Sequence, residues 1–138
     1  MGKALIIDTA DFSGIAVGMN KIVVNKSFTN AQLLSGAESG YSNSTTGEIK
    51  AQTGYVHKIV TVEGYSTVVI KGTYPIHIGA FYNSSTNIGT STFVSCDGAL
   101  TKTNVSYITK TVTIPSGAVA LSLNVDTSNT DHTLNVNT

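Results

Sequence analysis

Apolar and polar positions alternate most cleanly between Tyr55 and Tyr82. Three runs rich in β-branched and aromatic residues stand there: Tyr55-Val56-His57-Lys58-Ile59-Val60-Thr61-Val62, Ser66 to Lys71, and Pro75-Ile76-His77-Ile78-Gly79-Ala80-Phe81-Tyr82. Alternation at period two sends successive side chains to opposite faces of a strand. Glu63-Gly64 and Gly72-Thr73 supply turn residues between the runs. The pattern predicts a β-meander. In its first strand Val56, Val60 and Val62 share one face, with Tyr55, His57, Ile59 and Thr61 on the other. In its third, Ile76, Ile78, Ala80 and Tyr82 oppose His77, Gly79 and Phe81.

The flanking chain reads as more short strands. Ala4-Leu5-Ile6-Ile7, Ile15-Ala16-Val17 and Ile22-Val23-Val24 are apolar pieces at the N-terminal end. Thr29 to Ser35 is the one helical candidate, with Thr29 or Asn30 as N-cap and Gly36 past its end. Residues 36–47 and 83–90 lack periodicity and abound in Ser, Thr, Asn and Gly, which predicts surface loops. Val60 to Ile70 and Val112 to Leu123 share a plan of strand, Gly-bearing turn and alternating strand, read as two hairpins. Val119, Leu121, Leu123 and Val125 form an apolar face with Ala120, Ser122 and Asn124 opposite. Strands are expected at 4–8, 15–24, 55–62, 66–72, 75–82, 91–95, 105–114, 118–125 and 132–137. Many short strands with almost no helix predict an all-β, antiparallel two-sheet β-sandwich, with jelly-roll topology the first choice.

At 138 residues the chain suits a single domain over 1–138, with N-terminal strands in an arm over 1–30, a loop region over 31–54 and the main sandwich strands over 55–138. Charged residues make up only 12% and the formal net charge is zero, with all eight basic residues lysine. Nucleic acid is disfavoured as a partner, because phosphate and base contacts draw on clustered positive charge and on arginine. Cys96 is the single cysteine, so it forms no intrachain disulfide and reads as a buried thiol. No apolar stretch is long enough for membrane insertion. The opening Met1 to Asp8 has too short an apolar run for a signal peptide. That leaves a cytoplasmic protein, export by another route, a trimmed mature form, or release in a phage particle by lysis.

Phe81-Tyr82-Asn83-Ser84-Ser85-Thr86-Asn87-Ile88-Gly89, followed by Val112-Thr113-Ile114-Pro115-Ser116-Gly117-Ala118-Val119-Ala120-Leu121-Ser122-Leu123, resembles the jelly-roll accessory domains of bacteriophage tail and tail-fibre proteins and of some secreted bacterial esterases. Lys3-Ala4-Leu5-Ile6-Ile7-Asp8-Thr9-Ala10-Asp11-Phe12-Ser13 is similar to the start of phage and prophage proteins that carry this module. One departure is the penultimate strand, where the family often carries arginine and Ala120 to Asn124 has none. The resemblance implies a non-catalytic module that attaches to a cell-surface glycan or to other virion or tail proteins, in a virion or extracellular setting. The alternative is a structural virion or spacer domain that assembles with copies of itself, a homo-oligomer.

Catalytic motifs are missing from the chain. It holds no Gly-x-Ser-x-Gly, His-Glu-x-x-His, Cys-x-x-Cys or phosphate-cradling glycine loop, and no Gly-Asp-Ser of the esterases that travel with such modules. Asp131 and His132 are adjacent on a predicted strand, hence on opposite faces, which spoils a triad. No enzyme and no cofactor are expected. A structural calcium ion would draw on Asp97 beside Gly98, or on Asp126 and Asp131 bracketing 127–130, but a solvated turn is the preferred reading and no metal site is expected. His57 and His77, on outward positions of neighbouring strands, are two imidazoles short of a metal site. Sugar recognition needs an aromatic ring for the apolar face of a pyranose, with amides or hydroxyls beside it. Without tryptophan the ring falls to Tyr41, Tyr55, Tyr74 or Tyr82, with Asn43, Asn83, Asn87 and Asp97 as polar partners.

Overall fold

The computed structural model describes residues 24–73, 77–96 and 108–138. The strands expected at 4–8 and over 15–23 lie outside the described residues, and Val24 is exposed and outside any strand. In chain order the elements are β1 (Lys26–Phe28), α1 (Asn30–Leu34), β2 (Glu38–Ser39), β3 (Tyr41–Ser42), β4 (Ile49–Lys50), β5 (Tyr55–Thr61), β6 (Thr67–Gly72), β7 (His77–Tyr82), β8 (Phe93–Ser95), β9 (Ile108–Thr113), β10 (Ala120–Asp126) and β11 (Thr133–Asn137). The fold is all-β, and among the described residues every strand pairing is antiparallel. The short helix starts where its cap predicts. Thr29 Oγ1 accepts from the Gln32 N–H while the Gln32 side chain accepts from the Thr29 N–H, a reciprocal box that satisfies two otherwise orphaned donors.

One sheet has four strands in the order β1-β11-β6-β9, a second has five in the order β2-β5-β10-β7-β8, and β3 and β4 form a separate pair. Both larger sheets feed one apolar cluster. Val68 and Ile70 of β6, Val112 of β9, and Leu134 and Val136 of β11 meet Val60 of β5, Ile78 and Phe81 of β7, and Leu121, Leu123 and Val125 of β10. Each of these large side chains contributes roughly 1.5–3 kcal/mol when fully buried. Leu33, wholly buried, joins the same cluster from α1.

The meander is overturned. β5 and β7 belong to the five-stranded sheet and β6 to the four-stranded one, so the chain crosses between sheets at Val62 to Ser66 and again after Gly72. The second expected hairpin is also a crossing, from β9 to β10. Both corners lie side by side. Val62 N–H donates to Val119 O at 2.8 Å and Ile114 N–H to Ser66 O at 2.9 Å. A Gly-bearing turn reads the same whether the chain returns within one sheet or passes to the next, which is why local pattern mistook corners for hairpins.

Within β7 the expected faces are also rearranged. Ala80 stands opposite Ser122 and His77 opposite Asn124, so Ile78 and Gly79 together face Leu123 alone. This is a β-bulge, with Gly79 at φ +90° as its left-handed residue. The extra residue resets the alternation: Ile78 and Phe81 both enter the shared core, while Ala80 and Tyr82 turn outward. Glycine is required there, since a Cβ would collide with the Ser122 carbonyl oxygen and Ser42 Oγ.

Candidate functional site

The outer face of the five-stranded sheet is covered by residues 40–50, part of the stretch that the sequence pattern reads as loop. Strand β10 is buried on both faces for that reason, its outward Ala120, Ser122 and Asn124 included. These are small or amide side chains, and they let the covering flap approach closely. The flap is a tight hairpin with Tyr41 opposite Lys50 and Ser42 opposite Ile49. Asn43 builds its turn: Oδ1 accepts from the N–H groups of Thr45 and Thr46 at 2.8 and 3.0 Å, and its carbonyl accepts from the Gly47 N–H at 2.7 Å. Asn43 therefore shapes the flap rather than facing outward as a free ligand contact.

Buried polar contacts from Asn124, Tyr82 and His57 hold the flap down. Asn124 Oδ1 accepts from Ser42 N–H at 2.8 Å and from Ser42 Oγ at 2.9 Å, and Asn124 Nδ2 donates to Ser42 O at 2.9 Å. Tyr82 donates its hydroxyl to Gly47 O at 2.7 Å. His57 Nδ1 lies 3.2 Å from Gly40 O. His57 sits on the outward side of β5, as its position in the alternation predicts, but the flap buries it to 3% exposure. Being outward on a strand is a local property, and being covered is a tertiary one.

Where the flap meets β5, Tyr41, Gln52, Tyr55 and Asn124 line an open cleft of about 200 Å³. Both tyrosines are half-buried, so each ring is held and partly presented. Of the six described residues expected to bind ligand, Tyr41 and Tyr55 are the two brought together in this cleft. Asn87 lines a separate groove, and Asn83 is exposed, its N–H donating to Thr92 O at 2.8 Å. Tyr74 and Asp97 lie outside the described residues. Tyr82 is fully buried, its ring edge-on to Phe93 with centroids 6.3 Å apart, so it is a flap support and not a surface platform. Burial pushes its hydroxyl up to about 12, with Ser42 acting in the opposite direction.

The two described carboxylates weighed for calcium serve turns. Asp126 Oδ1 accepts from Ser128 N–H at 2.9 Å and Ser128 Oγ at 2.7 Å. Asp131 accepts from the hydroxyl and the N–H of Thr73, which hold its carboxyl below the ordinary carboxylate range. His132 is buried with Nε2 3.0 Å from Thr73 O. Among the described residues no three His, Cys, Asp or Glu side chains are grouped to hold a metal ion.

Gln52 and Asn124 are cleft residues that sequence reasoning passed over. Asn124 carried a signal, being an amide at an outward position of an otherwise apolar strand. Gln52, in a stretch without periodicity, carried none. Comparison of the chain with protein-family models, curated proteins and solved structures finds no match in any of the three.

Proposed function

We propose that this chain is a non-catalytic jelly-roll sandwich module that binds a single sugar ring in the cleft of Tyr41, Tyr55, Gln52 and Asn124. The observation that carries the reading is the make-up of that cleft among the described residues: two tyrosines and two carboxamides, with no charged side chain. Phenol rings suit the C–H face of a pyranose and the Gln52 carboxamide suits its hydroxyls, while Asn124, already bonded to Ser42 through Oδ1 and one Nδ2 hydrogen, keeps at most its second amide hydrogen for a ligand. A volume of about 200 Å³ is below the roughly 300 Å³ where pockets for drug-sized ligands begin, which suits one ring. Asn124 anchors the flap through Ser42 and so positions Tyr41. The neutral lining favours an uncharged sugar over a sialic or uronic acid.

Support for the jelly roll comes from strand order. Setting aside the two-residue β2, β3 and β4, each connection leads from one larger sheet to the other except that from β7 to β8, and the last strand β11 returns beside β1. A double Greek key wraps its strands in that order, which supports the reading. The resemblance to phage-tail accessory domains favours a host-surface glycan and a virion or extracellular setting, where weak single sites gain strength by multivalent display. Carbohydrate-array binding and NMR titration with neutral monosaccharides test the reading, using Tyr41→Ala and Tyr55→Ala. Loss of binding in both variants, with an unchanged melting temperature, is the expected result. Failure of the wild-type protein to bind any glycan overturns it.

A second reading, a structural module that packs against its own copies, is favoured by the outer face of the four-stranded sheet. Ser27, Thr67, Thr111, Asn135 and Asn137 make a hydroxyl and amide surface there around Val69, with Lys71 on the same face. Sedimentation equilibrium separates the two: a stable oligomer without glycan binding supports the second.

A further inference from the structure

The two corners between the sheets leave a groove of about 350 Å³ between them, which shares no lining residue with the tyrosine cleft. Strand β5 runs from Tyr55 at the cleft to Thr61, next to Val62 of the groove, so the two lie at opposite ends of that strand. Val62, Tyr65, Ile114, Pro115 and Val119 give the groove apolar side chains. The exposed Glu63-Gly64 and Ser116-Gly117 turns add peptide groups, a hydroxyl and, among the described residues, the one charged side chain of its lining. Apolar side chains interspersed with peptide groups suit an extended segment of polypeptide, which brings both.

The described chain begins at this corner. Tyr65, a lining residue, donates its hydroxyl to Val24 O at 2.7 Å. Lys26 is held next to it: Nζ donates to Thr61 O and Thr61 Oγ1 at 2.9 and 2.8 Å and stands 5.0 Å from the Tyr65 ring centroid. Residues 24–26 are thereby pinned beside the groove. An extended chain advances at most about 3.6 Å per residue, so the three residues before Val24 lie within about 11 Å of it. They are Lys21, Ile22 and Val23.

We propose that the corner groove is the seat of this chain's own segment 21–23, with the Val23 side chain against Val62, Ile114 and Val119 and the Lys21 ammonium opposite Glu63. Alternation carries the assignment: Val24 turns its side chain to solvent at 71% exposure, and an extended chain sends Val23 and Lys21 the other way. Charge agrees, because Lys21 is the basic residue that most closely precedes Val24 and Glu63 is the acid of the described lining. A segment tied here enters the module at the end away from the tyrosine cleft and leaves that cleft clear. The inference does not depend on what the cleft binds.

Isotope-edited NMR on the whole 138-residue chain tests it. In uniformly ¹³C-labelled protein the Val23 methyls are expected to show NOEs to the Ile114 and Val119 methyls. In an equal mixture of labelled and unlabelled protein, the isotope-filtered spectrum should lack them. Limited trypsin digestion gives a second readout. Loss of one hydrogen bond in Tyr65→Phe should speed cleavage after Lys21 about fivefold, and loss of the ion pair in Glu63→Gln about twofold, with cleavage after Lys3 unchanged in both. Contacts seen only between labelled and unlabelled copies make a second copy the occupant and overturn the inference. Absence of NOEs from Val23 to the groove, or native-like cleavage after Lys21 in both variants, overturns it as well.

Discussion

Replacing Asn124 by alanine removes the central anchor of the flap, and the structure sets the size of the effect. Three hydrogen bonds join Asn124 to Ser42, at 2.8, 2.9 and 2.9 Å, and two of them serve the backbone N–H and C=O of Ser42. Ser42 is 1% exposed, so neither group can turn to water while the flap stays down. A buried backbone group left unsatisfied costs about 1–3 kcal/mol, which for the pair gives about 3 kcal/mol at the lower half of that range. At a urea m-value of about 2 kcal/mol/M this is a fall of about 1.5 M in the unfolding midpoint. If the flap lifts instead, the groups recover water and the global loss shrinks, but the Ser42 amide then exchanges rapidly with solvent. Asn124→Asp sharpens the assay, because a neutral carboxyl can still donate to Ser42 O and a carboxylate cannot. Burial raises the folded-state pKa of such an acid above its unfolded value near 3.9, so its deficit relative to the native protein is least below about pH 4 and grows as pH rises. A midpoint shift under about 0.3 M in Asn124→Ala, with Ser42 as protected as before, refutes the reasoning.

Other consequences are open to direct test. Gly79→Ala meets both a left-handed φ and the Ser122 carbonyl oxygen, so it should lose more than about 3 kcal/mol. Gly54→Ala, with a similar φ of +88° and open space around it, should lose only about 1–2 kcal/mol in the same thermal melt. Tyr82 should stay protonated beyond the range of an exposed tyrosine and ionise at about 12. Its folded pKa is raised, so its contribution to stability is present below about pH 10 and lost as pH rises toward about 12. Tyrosinate absorbance alongside circular dichroism checks this, and a full complement of tyrosinate at pH 10 in the folded protein refutes it. Thr73→Val removes the leading donor to Asp131 and should move that carboxyl back up toward its ordinary range, read by carboxyl ¹³C shifts. The native contribution of Asp131 is present above about pH 3.9 and lost as pH falls through its lowered folded value, a window that Thr73→Val should narrow.

The local pattern carried a good deal. Alternation located β5, β6, β7, β9, β10 and β11 within a few residues, and the Thr29 cap with Gly36 beyond it located α1. Those elements rest on forces between near neighbours in the chain: strand alternation, a capping side chain, a left-handed glycine. Strands β2, β3 and β4 were illegible because two residues each are too few for any period to show. The tyrosine cleft was half legible. Tyr41 and Tyr55 were singled out for their chemistry, but their meeting with Gln52 and Asn124 depends on a flap whose anchor spans 82 residues of sequence.

By itself, then, the sequence determined that this chain forms antiparallel strands and which side of most of them is apolar, since both follow from residue type and spacing alone. The tertiary structure decided which strands pair, that the Gly-bearing turns are corners between sheets, and that one bulge at Gly79 turns Tyr82 away from the core. It also decided that His57, Ser122 and Asn124 lie buried beneath a second layer. The reason is physical: alternation tells a side chain which way to point, whereas burial and pairing are settled by whatever distant segment arrives to cover it.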